Sequence, residues 1–427
     1  MRLPVAFAAA LALVVSFTVF ATSADAGAGP LRQVIAVLRD DVDSDSIASE
    51  HAYRFGAHVS HVYGAVLRGY AARVPERVIE SLKRDARVAF VEDDRLLWAT
   101  DTVPTGVDRI EGDKSSQLSG DGAGSVGTGV AIIDTGISPH SELNIAGGYN
   151  CAGFFFVNRN AWTDGNGHGT HVAGTVAAKD NGANIVGVAP GAPLWAVRVL
   201  SSNGSGYLSW IICGINWVAN NAAAKGIKVA NMSLGGGGSD DGNCGNSNND
   251  SMHKAICNAV NNKGVTFVVA AGNSNANFAT FTPAAYNEVL TVTAVADFNG
   301  QPGGGAVPTC RTDVDDTAAD FSNWTTPGSA DASHTIAAPG VCITSTWNNG
   351  GYNTISGTSM ASPHATGTVA LCISSGACAG LTPAQIVQKM RADAAANAAA
   401  DPTYGFAEDA SSGGTKYYGH LIYAGGY

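Results

Sequence analysis

Short apolar runs alternate with stretches of helical spacing along most of this chain. Residues 130–133, 194–199, 228–232, 265–270 and 289–294 are rich in branched apolar side chains and read as buried strands. Between them, 168–179, 208–221, 250–263 and 359–373 read as helices. Strand–helix alternation of this kind implies a largely parallel sheet covered on both faces. Residues 33–98 follow a different pattern, a small α+β unit. Its strands are expected at 33–38, 59–67 and 88–92, and its helices at 44–55 and 76–85. No internal repeat is present.

Charge sharpens the division. Residues 31–98 carry ten Lys/Arg and eleven Asp/Glu, whereas residues 99–427 carry 13 and 23 over almost five times the length. Segments so different in surface chemistry belong to different domains. The 427 residues leave room for two or three domains. An apolar content of 45% with 14% charged residues excludes disorder, and a net charge of −11 argues against nucleic-acid partners. The 53 glycines follow no three-residue period, which excludes a collagen-like chain.

The first residues read as an export signal. Met1-Arg2 is followed by a nearly uninterrupted apolar run from Val5 to Ala21, then by Ala24-Asp25-Ala26, a small-residue cleavage pattern. An uncleaved anchor is the other reading of such a run. Eight cysteines, all beyond residue 150, agree with export and disulfides. Sequence proximity favours Cys372–Cys378 and Cys244–Cys257, then Cys310–Cys342, which leaves Cys151 with Cys213. No C-x-x-C spacing suggests zinc.

Four motifs carry chemistry. The strand GVAII delivers Asp134 at its carboxyl end, where functional groups gather in parallel sheets. In DGNGHGTHVAGT, His168 opens a helix between two glycines, and His171 three residues on raises a metal alternative without the HExxH pattern. VVAAGN ends a buried strand on Asn273, whose amide can donate a hydrogen bond. In GTSMASPH, Ser359 starts a helix whose free N–H groups favour a developing anion, and Pro363 is expected in its first turn. Singly, each has an ordinary structural reading: a loop carboxylate, a capping histidine, a turn asparagine, an N-cap serine. Ala361 stands where a GxSxG lipase elbow needs its second glycine.

Together, in the order Asp…His…Asn…Ser with these flanking glycines, the motifs resemble the subtilisin-like serine proteases over residues 104–375. The resemblance implies a mostly parallel seven-stranded sheet with helices on both faces, preceded by a small ferredoxin-like inhibitor propeptide. It divides the chain into a signal peptide (1–26), a propeptide (30–98) and a peptidase domain (99–427). It implies that Asp134 orients His168, that His168 is the general base and Ser359 the nucleophile, and that Asn273 with the Ser359 N–H forms an oxyanion hole. It also implies a cleft in which a substrate strand lies between Gly204-Ser205-Gly206 and Ser233-Leu234-Gly235, with Leu208 walling an outer pocket of medium apolar preference. Asp240-Asp241 is a faint echo of the acidic loop of proprotein convertases, whose SWGP motif is absent.

Calcium is the cofactor the resemblance implies, as a structural ion. Glu142 stands at a ligand position in HSELN. Asn181 would add its side chain, and the carbonyls of Lys179, Ala183 and Ile185 would complete an oxygen cage. A second family site is disfavoured by Thr335, while Asp313, Asp315 and Asp316 are either ion ligands or solvated. The whole describes a secreted serine endopeptidase, made as a self-processing zymogen cut between Leu97 and Asp101. Its specificity is broad, with an apolar preference before the scissile bond. Its partners are polypeptide substrates and its own propeptide, and after signal removal it is a monomer without nucleic-acid or membrane contacts. The competing classes are a non-catalytic binding protein on the same fold and an esterase of the same chemistry.

Overall fold

In a computed structural model, Leu31–Leu38 pairs antiparallel with both Gly69–Pro75 and Val88–Asp93, and His58–Tyr63 pairs with Gly69–Pro75. The structure describes residues 30–65, 67–94, 102–153 and 157–427. The export signal and the expected maturation segment 97–101 fall outside them. The chain divides into two compact units, Met1–Leu97 and Trp98–Tyr427.

The first unit is a four-stranded antiparallel sheet with helix Ser44–Phe55 and the shorter helix Ile79–Lys83. Asp43 caps the longer helix by accepting from Ser46 N at 3.0 Å, and Gly56 ends it in the left-handed region at φ 66°. Strand Gly69–Pro75 was not expected from the pattern. It is central, paired on both edges and buried at six of seven positions, so its small residues GYAARVP show no alternation. The core joins Val34, Ala36, Leu38, Ile47, Tyr70 and Leu82.

The second unit is built on an eight-stranded sheet. Across it run Thr317–Ala318, Leu290–Ala296, Thr266–Ala270, Ile227–Met232, Gly129–Asp134, Leu194–Arg198 and Ile145–Asn150, and Thr335–Pro339 also pairs with Leu290–Ala296. All are parallel except the two-residue Thr317–Ala318, which makes a mostly parallel sheet with seven parallel members. The strand alternation is visible in Gly129–Asp134: Val130 and Ile132 join one core, Ala131 and Ile133 the other. Helices His168–Ala177, Thr358–Ser374 and Pro383–Ala400 bury residues in the first core. Leu208–Lys225 and Ser251–Lys263 contribute to the second. Four disulfides link Cys244–Cys257, Cys310–Cys342 and Cys372–Cys378, which proximity favoured, and Cys151–Cys213, the pair it left over. Among the described residues no helix is long and apolar enough to cross a membrane.

Candidate active site

Strand Gly129–Asp134 is buried throughout and ends on Asp134. His168 Nδ1 lies 2.8 Å from Asp134 Oδ1, which also accepts from Thr135 N at 2.7 Å. An imidazole that gives its Nδ1 proton to this carboxylate keeps Nε2 as an acceptor. Burial works against charge on His168, but Asp134, and less strongly Asp164, outweighs it, and the pKa is raised.

The glycines around His168 answer a packing demand. A Cβ on Gly167 (φ 116°) would stand 2.3 Å from the Trp347 ring, and one on Gly169 would stand 2.3 Å from the Gly136 carbonyl. The helix start is thereby pressed between Trp347 and the turn after Asp134. Asp164, to which the sequence reading gave no role, braces the same turn. It is 4% exposed and accepts from Asn166 N, Gly167 N, Thr170 N and Thr170 Oγ1 at 2.8, 2.9, 2.9 and 2.7 Å. Its signal was in plain view as the first letter of DGNGHGTH.

Ser359 is in the first turn of helix Thr358–Ser374, whose opening N–H groups have no helical acceptors. Pro363 is not in the first turn as expected; it lies inside the helix, in the second turn. There it removes the N–H that would reach back four residues to the Ser359 carbonyl. The Ser233 hydroxyl takes that place, donating to Ser359 O at 2.8 Å. The Ser359 hydroxyl in turn donates to Ser233 O at 3.4 Å, and no hydrogen bond among the described residues joins it to His168 in this conformation. Rotation about the Ser359 Cα–Cβ bond redirects it, as is common before substrate tightens such sites.

Asn273 is fixed by its oxygen. Oδ1 accepts from Thr358 N at 2.8 Å and from Thr358 Oγ1 at 2.9 Å, so Nδ2 is the donor left to face outward. A Cβ built on Gly357 would lie 3.5 Å from Asn273 Nδ2 and 3.6 Å from Ser359 N. Both nitrogens therefore lie near one point beside the serine, where N–H donors can serve a developing oxyanion.

Ser233, Leu234 and Gly235 follow strand Ile227–Met232. Gly235 is forced by the Phe281 ring, which a Cβ would meet at 2.5 Å. Gly204–Gly206 does not form a strand in this chain. It is an exposed turn in which Asn203 Oδ1 accepts from Ser205 N at 3.0 Å. Leu208 is half exposed at the start of helix Leu208–Lys225 and lines, with Gly206, Ile211 and Leu234, a cavity of about 620 Å³. Sequence reasoning missed a buried network behind the cleft. Asn231 Oδ1 accepts from Ser362 and Thr366 hydroxyls, each at 2.8 Å, while its Nδ2 donates to Ser233 Oγ at 2.9 Å. The only sequence signal was a polar residue inside the apolar run KVANM.

Of the expected calcium ligands, Glu142 and Asn181 are adjacent. Glu142 is 2% exposed and no cation among the described residues pairs with it. It accepts from Asn181 Nδ2 at 3.0 Å, Asn184 Nδ2 at 3.3 Å and Ser141 Oγ at 3.1 Å, all neutral donors. A buried carboxylate held only by neutral groups is a costly arrangement that a cation relieves. The donor types suit a hard cation, with the Asn181 amide, whose oxygen here accepts from Ala183 N at 3.1 Å, turned so that this oxygen rather than its NH₂ faces Glu142.

The other candidates are structural. His171 Nε2 bonds to Ile343 O at 2.9 Å, and burial pushes its pKa down to about 3, so it is neutral and engaged away from His168. Asp313, Asp315 and Asp316 are not solvated. They are buried and occupied: Asp313 by Arg311 and Asp320 N, Asp315 by Phe298 N and Ala306 N, Asp316 by Arg109, Gly303 N and Gly304 N.

Comparison with known proteins agrees with the geometry. The family described as "Subtilase family" matches residues 125–407, and "Peptidase inhibitor I9" matches residues 33–98. The chain is 37% identical over 309 residues to Subtilisin E of Bacillus subtilis (strain 168), covering 71% of this chain and 70% of that protein. It is 34% identical over 343 residues to Alkaline elastase YaB of Bacillus sp. (strain YaB), covering 80% and 78% respectively. A solved structure of a cold adapted subtilisin-like serine proteinase aligns at a TM-score of 0.54 and 33% identity, over 75% of this chain and 97% of its own.

Proposed function

This chain belongs to the subtilase family of serine endopeptidases, and from that premise we propose that Asp134, His168 and Ser359 cut peptide bonds through an acyl-enzyme. The observation that carries the reading is the pair of donors, Asn273 Nδ2 and Ser359 N, flanking one point beside the serine. His168 Nε2 takes the Ser359 proton as Oγ attacks the carbonyl carbon, and the resulting oxyanion sits between the two donors. The imidazolium then gives its proton to the leaving amine, and water repeats the sequence to free the acid. Asp134 holds the tautomer and favours the imidazolium that forms. The substrate lies between Gly204–Gly206 and Ser233–Gly235 as an added strand, and Leu208 with Ile211 accepts an apolar side chain in the outer pocket. An apolar residue precedes the scissile bond.

The enzyme is exported, and residues 30–98 act as its inhibitor until they are removed between Leu97 and Asp101. Incubating the mature form with a peptide library, with and without a serine-directed phosphonate, tests the activity. Cleavage that the phosphonate abolishes supports it, and a folded protein that cleaves nothing overturns it.

The raised pKa of His168 fixes a sign for the pH dependence. The base must be neutral, so kcat/KM rises with pH as His168 loses its proton. The acid limb is expected above the ordinary histidine value of about 6.5. Asp134→Asn removes the charge that raises it, and the limb should move to lower pH while the rate falls by about 10⁴. A limb left in place by Asp134→Asn would contradict the electrostatic account.

A bound calcium ion would be held by Glu142, the Asn181 amide oxygen and the carbonyls of Lys179, Ala183 and Ile185, and would supply stability rather than chemistry. Because only the folded state offers these oxygens together, calcium at a hundredfold excess over Kd is worth about 2.7 kcal/mol. Chelation should lower Tm by roughly 4 °C. Glu142→Gln should abolish the calcium-dependent part, and a melting curve indifferent to excess chelator would remove the ion from the account.

A further inference from the structure

One histidine outside the catalytic set is wholly buried among acids. His253, on helix Ser251–Lys263, has a side chain with no exposed surface. Its Nε2 lies 2.9 Å from Glu288 Oε2 and 3.3 Å from Asp240 Oδ1, and its Nδ1 lies 3.3 Å from Asp241 Oδ1. The ring stacks on Tyr286 at 4.1 Å and 3° between planes. The Tyr286 hydroxyl donates to Asp250 Oδ2, whose Oδ1 caps the helix at Met252 N and His253 N. Carboxylates face both ring nitrogens, on opposite edges of one imidazole. One metal ion cannot use both nitrogens, whereas an imidazolium brings positive charge to both edges: Nε2 is hydrogen-bonded to Glu288, and Nδ1 is within ion-pair range of Asp241 without a hydrogen bond.

These acids also organise a loop. Asp241 accepts from the backbone N–H groups of Asn243, Gly245, Ser247 and Asn248, folding residues 241–248 around one carboxylate. Asp240 is bonded by Asn287 Nδ2, and Cys244–Cys257 ties the loop to the helix. The same loop lines the 620 Å³ cavity: Ser239, Asn248, Asn249 and Asp250 share its lining with Leu208 and Leu234. Stretching from the substrate edges to the loop, that cavity is the outer pocket.

We propose that His253 is a positioning residue for substrate selectivity: as an imidazolium clamped between Glu288 with Asp240 and Asp241, it holds loop 239–250 as the wall of the outer pocket. The proposal rests on the cleft reading above and adds that the fit of a large apolar side chain, not the chemistry at Ser359, depends on this clamp. A neutral imidazole has one N–H, so one edge loses its donor while three carboxylates crowd an uncharged ring. The wall then relaxes and the pocket loses its hold on the side chain.

The charges set the direction. Burial works against the His253 cation, but Glu288, Asp240 and Asp241 outweigh it and raise its pKa. Asp240 is raised by burial, while the backbone amides on Asp241 overcome its burial and lower it. Tyr286, from the facing turn, is raised above the working range by burial and Asp250. Lys254, beside His253 on the helix, is turned to Asn246 at 3.0 Å. A group whose folded pKa is raised contributes fully below its unfolded value and loses that contribution as pH rises through the folded value. Selectivity should therefore be greatest near about pH 6 and decline toward alkaline pH.

The test uses two peptides that differ only in Phe or Ala at the outer-pocket position, and reads the ratio of their kcat/KM against pH. Catalytic titrations cancel in the ratio. In the wild type the Phe peptide should be preferred about tenfold or more at low pH, falling severalfold as His253 deprotonates. His253→Gln should show a small, pH-independent ratio, with the Ala peptide turned over within about twofold of wild type. Glu288→Gln should keep the preference at low pH but lose it at lower pH than the wild type, and it decides the matter if His253→Gln does not fold. A wild-type ratio flat in pH overturns the proposal, as does His253→Gln with the wild-type profile or Glu288→Gln with an unmoved midpoint. A folded wild type that cleaves neither peptide overturns the endopeptidase reading and this one with it.

Discussion

Replacing Ser359 with Ala lowers amide hydrolysis by on the order of 10⁴–10⁶ and leaves the precursor uncut between Leu97 and Asp101. On the proposed mechanism the loss is large because the hydroxyl is the atom that bonds to substrate, and nothing beside it would substitute. Ser233 is the neighbouring hydroxyl, but its proton is committed to the Ser359 carbonyl that Pro363 leaves without a helical donor. The fold should survive, since the hydroxyl makes only one long contact, 3.4 Å to Ser233 O. Two measurements separate the parts of the claim: initial rates on a peptide substrate, and the mass of the purified chain. A fully active or fully processed Ser359→Ala protein would contradict the assignment.

Asn273→Asp is expected to lower kcat by about 10²–10³, near 2.7–4 kcal/mol of lost transition-state stabilisation, with KM little changed. The Asp variant is the informative one. A carboxylate oxygen can still accept from Thr358 N and Thr358 Oγ1, so the contacts that fix residue 273 remain. What changes is the outward group, from an N–H donor to an acceptor facing the developing oxyanion. An equal loss in kcat for Asn273→Ala would place the effect on the missing donor. A loss confined to KM would show that Asn273 serves binding alone.

The fold was legible where periodicity is strong. Ser44–Phe55 has a cap, an αL glycine and helical spacing, and the strands of the large sheet are unbroken branched runs. Gly69–Pro75 was hidden because a central strand of small residues, buried on both faces, has no polar face to alternate with. Helix Pro383–Ala400 was hidden for the opposite reason: its Ala-rich run has a weak apolar face. Its legible signal was local, the capping box of Thr382 and Gln385 with Pro383 at the helix start. Residues 145–150 and 335–339 are short strands whose partners are distant in sequence, so only pairing defines them, and the strands of the hairpin of 343–346 with 352–355 are too short to show a pattern.

The site was legible in its reacting groups and obscure in its supports. Asp134, His168 and Asn273 stood out beside glycines that close packing requires, Gly136, Gly167, Gly169 and Gly272, and Ser359 stood out at a helix start. Asn231 and Thr358 act through hydrogen bonds to residues up to 135 positions away, which no local pattern encodes, whereas Asp164 bonds within its own turn. Pro363 was placed in a first turn by its usual preference, and the Ser233 hydroxyl is what permits it one turn later.

The most direct test of the central claim is the site of covalent modification. The mature enzyme is treated with a peptidyl phosphonate, digested, and the adduct located by mass spectrometry. The account predicts one adduct per chain, on Ser359, forming in step with the loss of peptidase activity and absent from Ser359→Ala. An adduct on another residue, or full inhibition with Ser359 unmodified, would contradict it.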